Sequence, residues 1–387
     1  MNFIVEEEKC TGCGLCSLVC MNNAITMKTN RLGRLFPEID KNKCVDCKSC
    51  LNCCPQKNDI DFCYPQKCYV AWSKDDKDIV FSASGGVGAV IAKVAILNDY
   101  YACGCDYDTD GKLLHFCTNS LEKAERFRSS KYSKSNSIEV FSVVKEKLHS
   151  GKKVVFIGTP CQIAALKRFV GNNEDLFTID LVCHGTPPNY YLQQHIYSVS
   201  EKKHISKIRF RGEYDQQLTL WDDNNKIIYN EPYNKDSYFR AFYKNMISYG
   251  ACYDCKYAQP NRCSDLTIGD FWGLGELTTI KPKSKRPSLI LVNTVKGQVL
   301  FRLISSYIVY EERQVQEGIK GNGRLNNPPS KNVQATMFEI CYPILQNFEI
   351  AVVLSELANK IVIIFLKIIR KLKKFTKDLL LTAGFKN

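Results

Sequence analysis

C-T-G-C-G-L-C-S-L-V-C from Cys10 to Cys20, and C-V-D-C-K-S-C-L-N-C-C from Cys44 to Cys54, decide how this chain is read. Cys10, Cys13, Cys16 and Cys20 each recur 34 residues on, as Cys44, Cys47, Cys50 and Cys54, so the segment is an internal repeat of two short strand–helix–strand halves. The spacing C-x2-C-x2-C-x3-C is that of a pair of [4Fe–4S] clusters. Three thiolates two residues apart wrap one face of a cubane, and the fourth turns away to the partner cluster. Cluster one therefore takes Cys10, Cys13, Cys16 and Cys54, and cluster two takes Cys44, Cys47, Cys50 and Cys20. Structural zinc, which needs four ligands in two pairs, has no use for three evenly spaced thiols. Cys53 competes with Cys54, although the three-residue spacer and Pro55 favour Cys54; Met21 stands where the first run would usually have proline.

Residues 1–66 thus read as a bacterial-type two-cluster ferredoxin module, and a chain of 387 residues leaves more than 300 for something larger. The start M-N-F-I-V-E-E-E-K has no basic stretch followed by an apolar one, so the twenty cysteines are expected in a reducing cytoplasm. The formal charge of +13 counts every cysteine as neutral. A cluster on four thiolates carries roughly −2, which removes part of that excess. Much of the rest sits in the last thirty residues, and no nucleic-acid-binding motif is present.

Beyond the module, C-Y-P-Q-K-C-Y-V-A-W-S leads into a strand, then the glycine-rich turn Ser82 to Gly88 opens an apolar helix. Tyr100 to Tyr107 reads as a strand, Ile138 to His149 as a helix, followed by K-K-V-V-F-I-G (strand), T-P-C-Q-I-A-A-L-K-R-F (helix) and L-F-T-I-D-L-V-C-H-G (strand). Strands alternating with helices predict an α/β body. From His204 to Tyr229 the pattern changes to that of an antiparallel meander, and S-D-L-T-I-G-D-F-W-G and S-L-I-L-V-N-T are further strands. The expected organisation is 1–66, 67–150, 151–331 and a helical basic tail, 332–387. The fold class is α+β: the ferredoxin module, an α/β body with a mixed sheet, and a C-terminal basic amphipathic helix. In that helix Ile361, Phe365, Ile368, Leu372, Phe375 and Leu379 form one stripe among lysines and arginines, which reads either as a membrane-surface helix or as one docked on protein.

Four more cysteines lie where the backbone turns. Cys161 falls in the first turn of a helix, with Thr159 as N-cap and Pro160 first; Cys183 ends the next strand; Cys252 and Cys255 form C-Y-D-C. Successive parallel strands deliver such residues to one edge, where ligands bind. A third cluster, a zinc knuckle and plain buried thiols all remain open from spacing, with Cys263 a competing ligand. The turn Ser84-Gly85-Gly86 before a helix suits a phosphate, and R-S-S-K-Y from Arg128 to Tyr132 reads as a surface loop or as help for the same group.

In this order S-G-G-V, S-S-K-Y, G-T-P-C-Q-I-A-A-L, D-L-V-C-H-G-T-P, C-Y-D-C-K-Y, R-C-S-D-L-T-I-G-D-F-W-G and S-L-I-L-V-N-T resemble the family of coenzyme F-420 hydrogenase/dehydrogenase beta subunits, over roughly residues 1 to 315. The resemblance implies a flavoprotein that binds FAD, with Ser84, Gly85 and Gly86 near its phosphates, Ser130 and Lys131 beside them, and Asp270 near the flavin or substrate. It also implies a third [4Fe–4S] cluster on Cys161, Cys183, Cys252 and Cys255. The expected activity is an FAD- and iron–sulfur-dependent oxidoreductase that exchanges electrons with a donor or acceptor protein such as ferredoxin and a small-molecule redox substrate. Either direction of flow is compatible with the sequence, and no residue stands out as catalytic. The alternative is a non-catalytic electron-transfer subunit of a larger complex, peripheral at the inner face of the membrane through residues 355–387 and linked to surface polysaccharide biosynthesis.

Overall fold

A computed structural model describes residues 3–108, 111–211, 216–281, 283, 286–362 and 364. In chain order its strands are β1 (Ile25–Thr29), β2 (Leu35–Ile39), β3 (Lys67–Ser73), β4 (Tyr101–Tyr107), β5 (Leu113–Thr118), β6 (Val154–Gly158) and β7 (Leu176–Leu181). Then follow β8 (Lys207–Arg211), β9 (Gln216–Trp221), β10 (Ile227–Pro232), β11 (Leu266–Asp270), β12 (Ser288–Val292) and β13 (Ile308–Arg313).

The body is built on an eight-stranded sheet in the order β13-β3-β12-β11-β7-β6-β4-β5. Its centre, β11-β7-β6-β4, is parallel, and antiparallel partners flank it. Central strands covered on both faces read as continuous apolar runs, as V-V-F-I does in β6. One face packs Ile91, Val94, Leu300 and Ile304 of the helices Val87–Leu97 and Val295–Ser305. The other packs Phe141, Val144, Ile163 and Leu166 of the helices Ile138–His149 and Pro160–Val170. The meander β10-β9-β8 forms a separate sheet, as its alternation predicts. It shares a second core with helix Asn189–Val199, Phe338 and Tyr342 of helix Val333–Leu345, and Phe348.

The repeat folds less symmetrically than expected. Each half supplies one short helix, Leu15–Leu18 or Ser49–Cys53, and one strand of the β1–β2 hairpin. No outer strands form among the described residues. The backbone after the second half is claimed by the body instead, because Cys63 and Arg262 exchange both hydrogen bonds at 2.8 Å. Leu15, fully buried, joins Phe141 and Ile163 in one core, so the module sits on the two helices beneath it.

Two further differences bear on the site. β7 ends at Leu181 rather than at Cys183; Val182 N–H still donates to Ile268 O, then Gly185 at φ +96° turns the chain away. Cys103 and Cys117, register partners on β4 and β5, are joined by a disulfide that the sequence reading did not anticipate. Residues 365–387, with Phe365, Ile368, Leu372, Phe375 and Leu379 of the expected basic helix, lie outside the described residues. Among the described residues no helix is long and apolar enough to cross a membrane.

Candidate iron–sulfur and flavin site

Cys10, Cys13, Cys16 and Cys54 line one cavity, and Cys20, Cys44, Cys47 and Cys50 line a second. The partition is crossed, with the last cysteine of each run beside the first three of the other. The short helices begin after left-handed residues, Gly14 at φ +73° and Lys48 at φ +62°, each between the second and third cysteines of its run, and the first three thiols of a run line one cavity. Cys53 lines neither cavity, and its thiol donates to Cys50 O at 3.4 Å. Cys10 Sγ accepts from Gly12 N–H at 3.4 Å, and Cys20 Sγ accepts from Ala24 N–H at 3.3 Å. Such bonds to sulfur tune a cluster's potential. Burial pushes the Cys10 thiol up to about 12, so it stays protonated and inert unless a metal draws the proton off.

Cys161, Cys183, Cys252 and Cys255 line a third cavity. They come from the first turn of helix Pro160–Val170 (Cys161), the exit of β7 (Cys183), the short helix Gly250–Tyr253 (Cys252) and the loop that follows it (Cys255). Thr159 caps that helix as expected, its N–H donating to Gln162 Oε1 at 3.0 Å, which fixes Cys161 at the sheet edge. Cys263 is buried with its thiol toward Pro160 O at 3.5 Å and is not among the lining residues. Among the described residues no group of three or more His, Cys, Asp or Glu is drawn together tightly enough for a single metal ion. Four cysteines around a cavity are the arrangement that a multi-atom cluster needs. Lys134, 7% exposed, also lines this cavity, with Nζ 3.5 Å from Cys161 Sγ. Burial opposes its charged form, yet the neighbouring Cys161, Tyr249, Cys13 and Cys252 outweigh that and hold it above the usual lysine range. The donor set and the buried cation both fit a group that is anionic on its thiolates.

The residues expected at the flavin gather at this same edge. Ser84 Oγ meets Ser288 Oγ at 2.9 Å, and Ser288 is the register partner of Asp270. Asp270 accepts from Arg211 Nη2 at 3.2 Å, while Arg211 Nε donates at 2.7 Å to the hydroxyl of Tyr132, two residues beyond Ser130. Buried Arg211 Nη1 and Ser129 Oγ have no partner among the described residues, which fits an anionic ligand. Gly86, at φ +82°, is the N-cap of helix Val87–Leu97, whose first N–H groups would face a phosphate. Gly85 serves close packing instead: a Cβ there would fall 2.4 Å from Ala71 O. Lys131 is turned inward, donating to Arg126 O at 2.8 Å and Arg128 O at 2.7 Å, so its ammonium braces the loop.

Sequence reasoning passed over Lys134, Arg211 and His184's surroundings. Lys134 lies in Y-S-K-S, whose polar letters read as surface, yet Ser133, Lys134 and Ser135 are all buried. Arg211 ends a β-strand with no motif around it. His184, beside Cys183, is driven below its usual pKa by burial and by Arg324. Only the adjacency of His184 to a cysteine was a signal.

Residues 9–58 match the 4Fe–4S dicluster domain, and residues 151–317 match the family described as the C terminus of the coenzyme F420 hydrogenase/dehydrogenase beta subunit. One of the subunits of the F(420)H(2) dehydrogenase of Methanosarcina mazei is 26% identical over 194 residues, 46% of this chain. The matched region spans 54%, about half, of that relative's length. A chain of the F420-reducing [NiFe] hydrogenase complex from Methanosarcina barkeri, solved as a xenon derivative, is 16% identical with a TM-score of 0.45, covering 68% of this chain and 93% of that one. One chain thus joins a segment that matches the 4Fe–4S dicluster domain to a segment, residues 151–317, that matches the C-terminal region of the coenzyme F420 hydrogenase/dehydrogenase beta subunits.

Proposed function

We propose that this chain is an iron–sulfur flavoprotein oxidoreductase that passes electrons between ferredoxin-type [4Fe–4S] clusters and FAD, and on to a small-molecule two-electron substrate. The observation that carries the reading is that one sheet edge holds the cavity of Cys161, Cys183, Cys252 and Cys255 and also, at the end of β11 and the start of β12, Asp270 and Ser288 with Ser84 bonded to the latter. A flavin supplies what clusters lack, exchanging single electrons on one side and a hydride on the other. In this reading Cys10, Cys13, Cys16 and Cys54 hold one cluster, Cys20, Cys44, Cys47 and Cys50 a second, and Cys161, Cys183, Cys252 and Cys255 a third. Gly86 and the start of helix Val87–Leu97 receive the FAD pyrophosphate, with Ser84, Gly85 and Ser130 shaping the approach and Lys131 bracing its loop. Asp270 orients Arg211, whose Nη1 is left to bind an anionic group. The protein partner is an electron donor or acceptor of the ferredoxin kind.

Iron and flavin stoichiometry after anaerobic purification tests this. About twelve iron atoms and one flavin per chain are expected, against about eight for the dicluster domain alone. Replacing Cys252 with Ser should remove about four irons. An unchanged count would return the second set of cysteines to buried thiols, and iron without flavin would reduce the chain to an electron relay for a partner enzyme.

A further inference from the structure

We propose that Lys134 is a fixed counter-charge between two cysteine cavities that favours electrons at the Cys161, Cys183, Cys252 and Cys255 site, and so draws them from the dicluster domain into the body. The proposal rests on the reading that this site holds a [4Fe–4S] cluster.

The backbone pins this lysine from both sides. Lys134 N–H donates to Pro187 O at 2.8 Å, Tyr238 OH donates to Tyr132 O at 2.7 Å, and Gln162 Nε2 donates to Ser135 O at 3.2 Å and Ser135 Oγ at 3.0 Å. Gln162 belongs to the helix turn that carries Cys161, so lysine and cysteine are placed by one element. Among the described residues Lys134 has no carboxylate within ion-pair distance, and the ionisable groups it faces are Cys161, Tyr249, Cys13 and Cys252. A buried ammonium without an anion is a heavy cost. An anionic cluster on the neighbouring thiolates removes it. The other cations lining the cavity are differently placed, since Arg262 is paired with Asp180 at 2.8 Å and Arg324 is partly exposed.

Position gives the charge a direction. Thr11 and Gln56 line both the cavity of Cys10, Cys13, Cys16 and Cys54 and that of Cys161, Cys183, Cys252 and Cys255, so a single layer of side chains separates them. The cavity of Cys20, Cys44, Cys47 and Cys50 shares no lining residue with the latter. The order is therefore the outer cavity of Cys20, Cys44, Cys47 and Cys50, the inner cavity of Cys10, Cys13, Cys16 and Cys54, then the body cavity. Lys134 lines only the body cavity, with Nζ 3.5 Å from Cys161 Sγ, and acts on Cys13 and Cys10 only across the shared wall; Coulomb attraction falls with distance, so one added negative charge is stabilised more at the body site than at the site of Cys10, Cys13, Cys16 and Cys54. Lys134 biases a single electron moving from the inner ferredoxin cluster, which is oxidised, to the body cluster, which is reduced; no bond changes and no proton moves.

The test uses the full chain, anaerobically reconstituted, with K134M and K134R beside it. Iron is counted, and each cluster's midpoint is followed by EPR-monitored redox titration, the body cluster being the signal lost in C252S. K134M is expected to keep its iron and to lower the body cluster's midpoint enough to reduce its electron occupancy about tenfold, which is about 59 mV for a one-electron couple. K134R should hold the unsubstituted midpoint. If K134M keeps its iron and its midpoint, the proposal is overturned. Should K134M lose iron instead, K134R decides: restored iron with the original midpoint supports the role, and continued loss or a displaced midpoint rejects it. About eight irons in the unsubstituted chain would remove the underlying reading, and the proposal with it, before any substitution is made.

Discussion

Gly14 shows how much one residue between two cysteines can carry. It lies at φ +73°, and a Cβ added there would fall 2.2 Å from Ile138 Cγ1, the first residue of a helix of the body. The left-handed backbone alone costs an L-residue about 1–2 kcal/mol, and the contact adds overpacking of about 1–3 kcal/mol. Gly14→Ala should therefore destabilise the chain by about 2 kcal/mol or more, read from denaturant midpoints. Gly111 is the control, at φ +70° with nothing among the described residues within 4 Å of its added Cβ. Equal losses in the two variants would mean that Ile138 yields and that Gly14 is kept for its backbone alone. The glycine was legible as part of C-T-G-C-G-L-C; its tie to Ile138 was not, because no local pattern links residues 124 apart in sequence.

At the scale of elements, His195 is the joint of the second core. Its helix, Asn189–Val199, meets the N-cap Asp236 of helix Ser237–Tyr243 through Nε2 at 2.8 Å, and Glu349 in the helical stretch 348–362 through Nδ1 at 2.6 Å. Tyr229 of β10 donates to Asp236 at 3.0 Å, and Ser237 donates to Glu349 at 2.7 Å. Burial disfavours the imidazolium, but the two carboxylates outweigh it and raise its pKa to about 9. Because the folded value lies above the unfolded one of about 6.5, the stabilisation is fully present below about pH 6.5. It is lost as pH climbs through about 9. At about 1.4 kcal/mol per pKa unit, a few kcal/mol are at stake. Thermal midpoints should fall between pH 6.5 and 9, and Glu349→Gln should flatten that slope; an unchanged slope would place the pH sensitivity elsewhere. Only the helical tail 332–387, which carries Glu349, was expected from the sequence; helices Asn189–Val199 and Ser237–Tyr243 were not, and their convergence on one histidine depends on packing across 154 residues.

For the whole molecule, the sequence carried the α/β alternation, the meander and the crossed cysteine sets, because those rest on local period and fixed spacing. It did not carry the docking of the ferredoxin module, which is made by long-range contacts: the shared core around Leu15, the Cys63–Arg262 bridge and the bonds of two arginines. Buried Arg34, on the turn into β2, donates to Ser248 O at 3.1 Å, pairs with Glu339 of helix Val333–Leu345, and lies 3.5 Å from Glu8. Arg168, exposed, donates to Cys53 O at 3.0 Å, Asp59 O at 3.1 Å and Asn52 O. Both join module to body, but burial separates them in strength. Removing one partner of a buried pair usually costs about 3–5 kcal/mol. Glu339 keeps Lys331 at 2.5 Å, so Arg34→Ala should cost about 2–3 kcal/mol. Arg168→Ala loses only water-screened bonds and should cost about 1 kcal/mol. Limited proteolysis around residues 55–66, run beside denaturant unfolding, distinguishes them: R34A should open that segment to cleavage markedly more than R168A. Equal sensitivity in both would show that the module is held by its apolar contact through Leu15 rather than by the buried arginine.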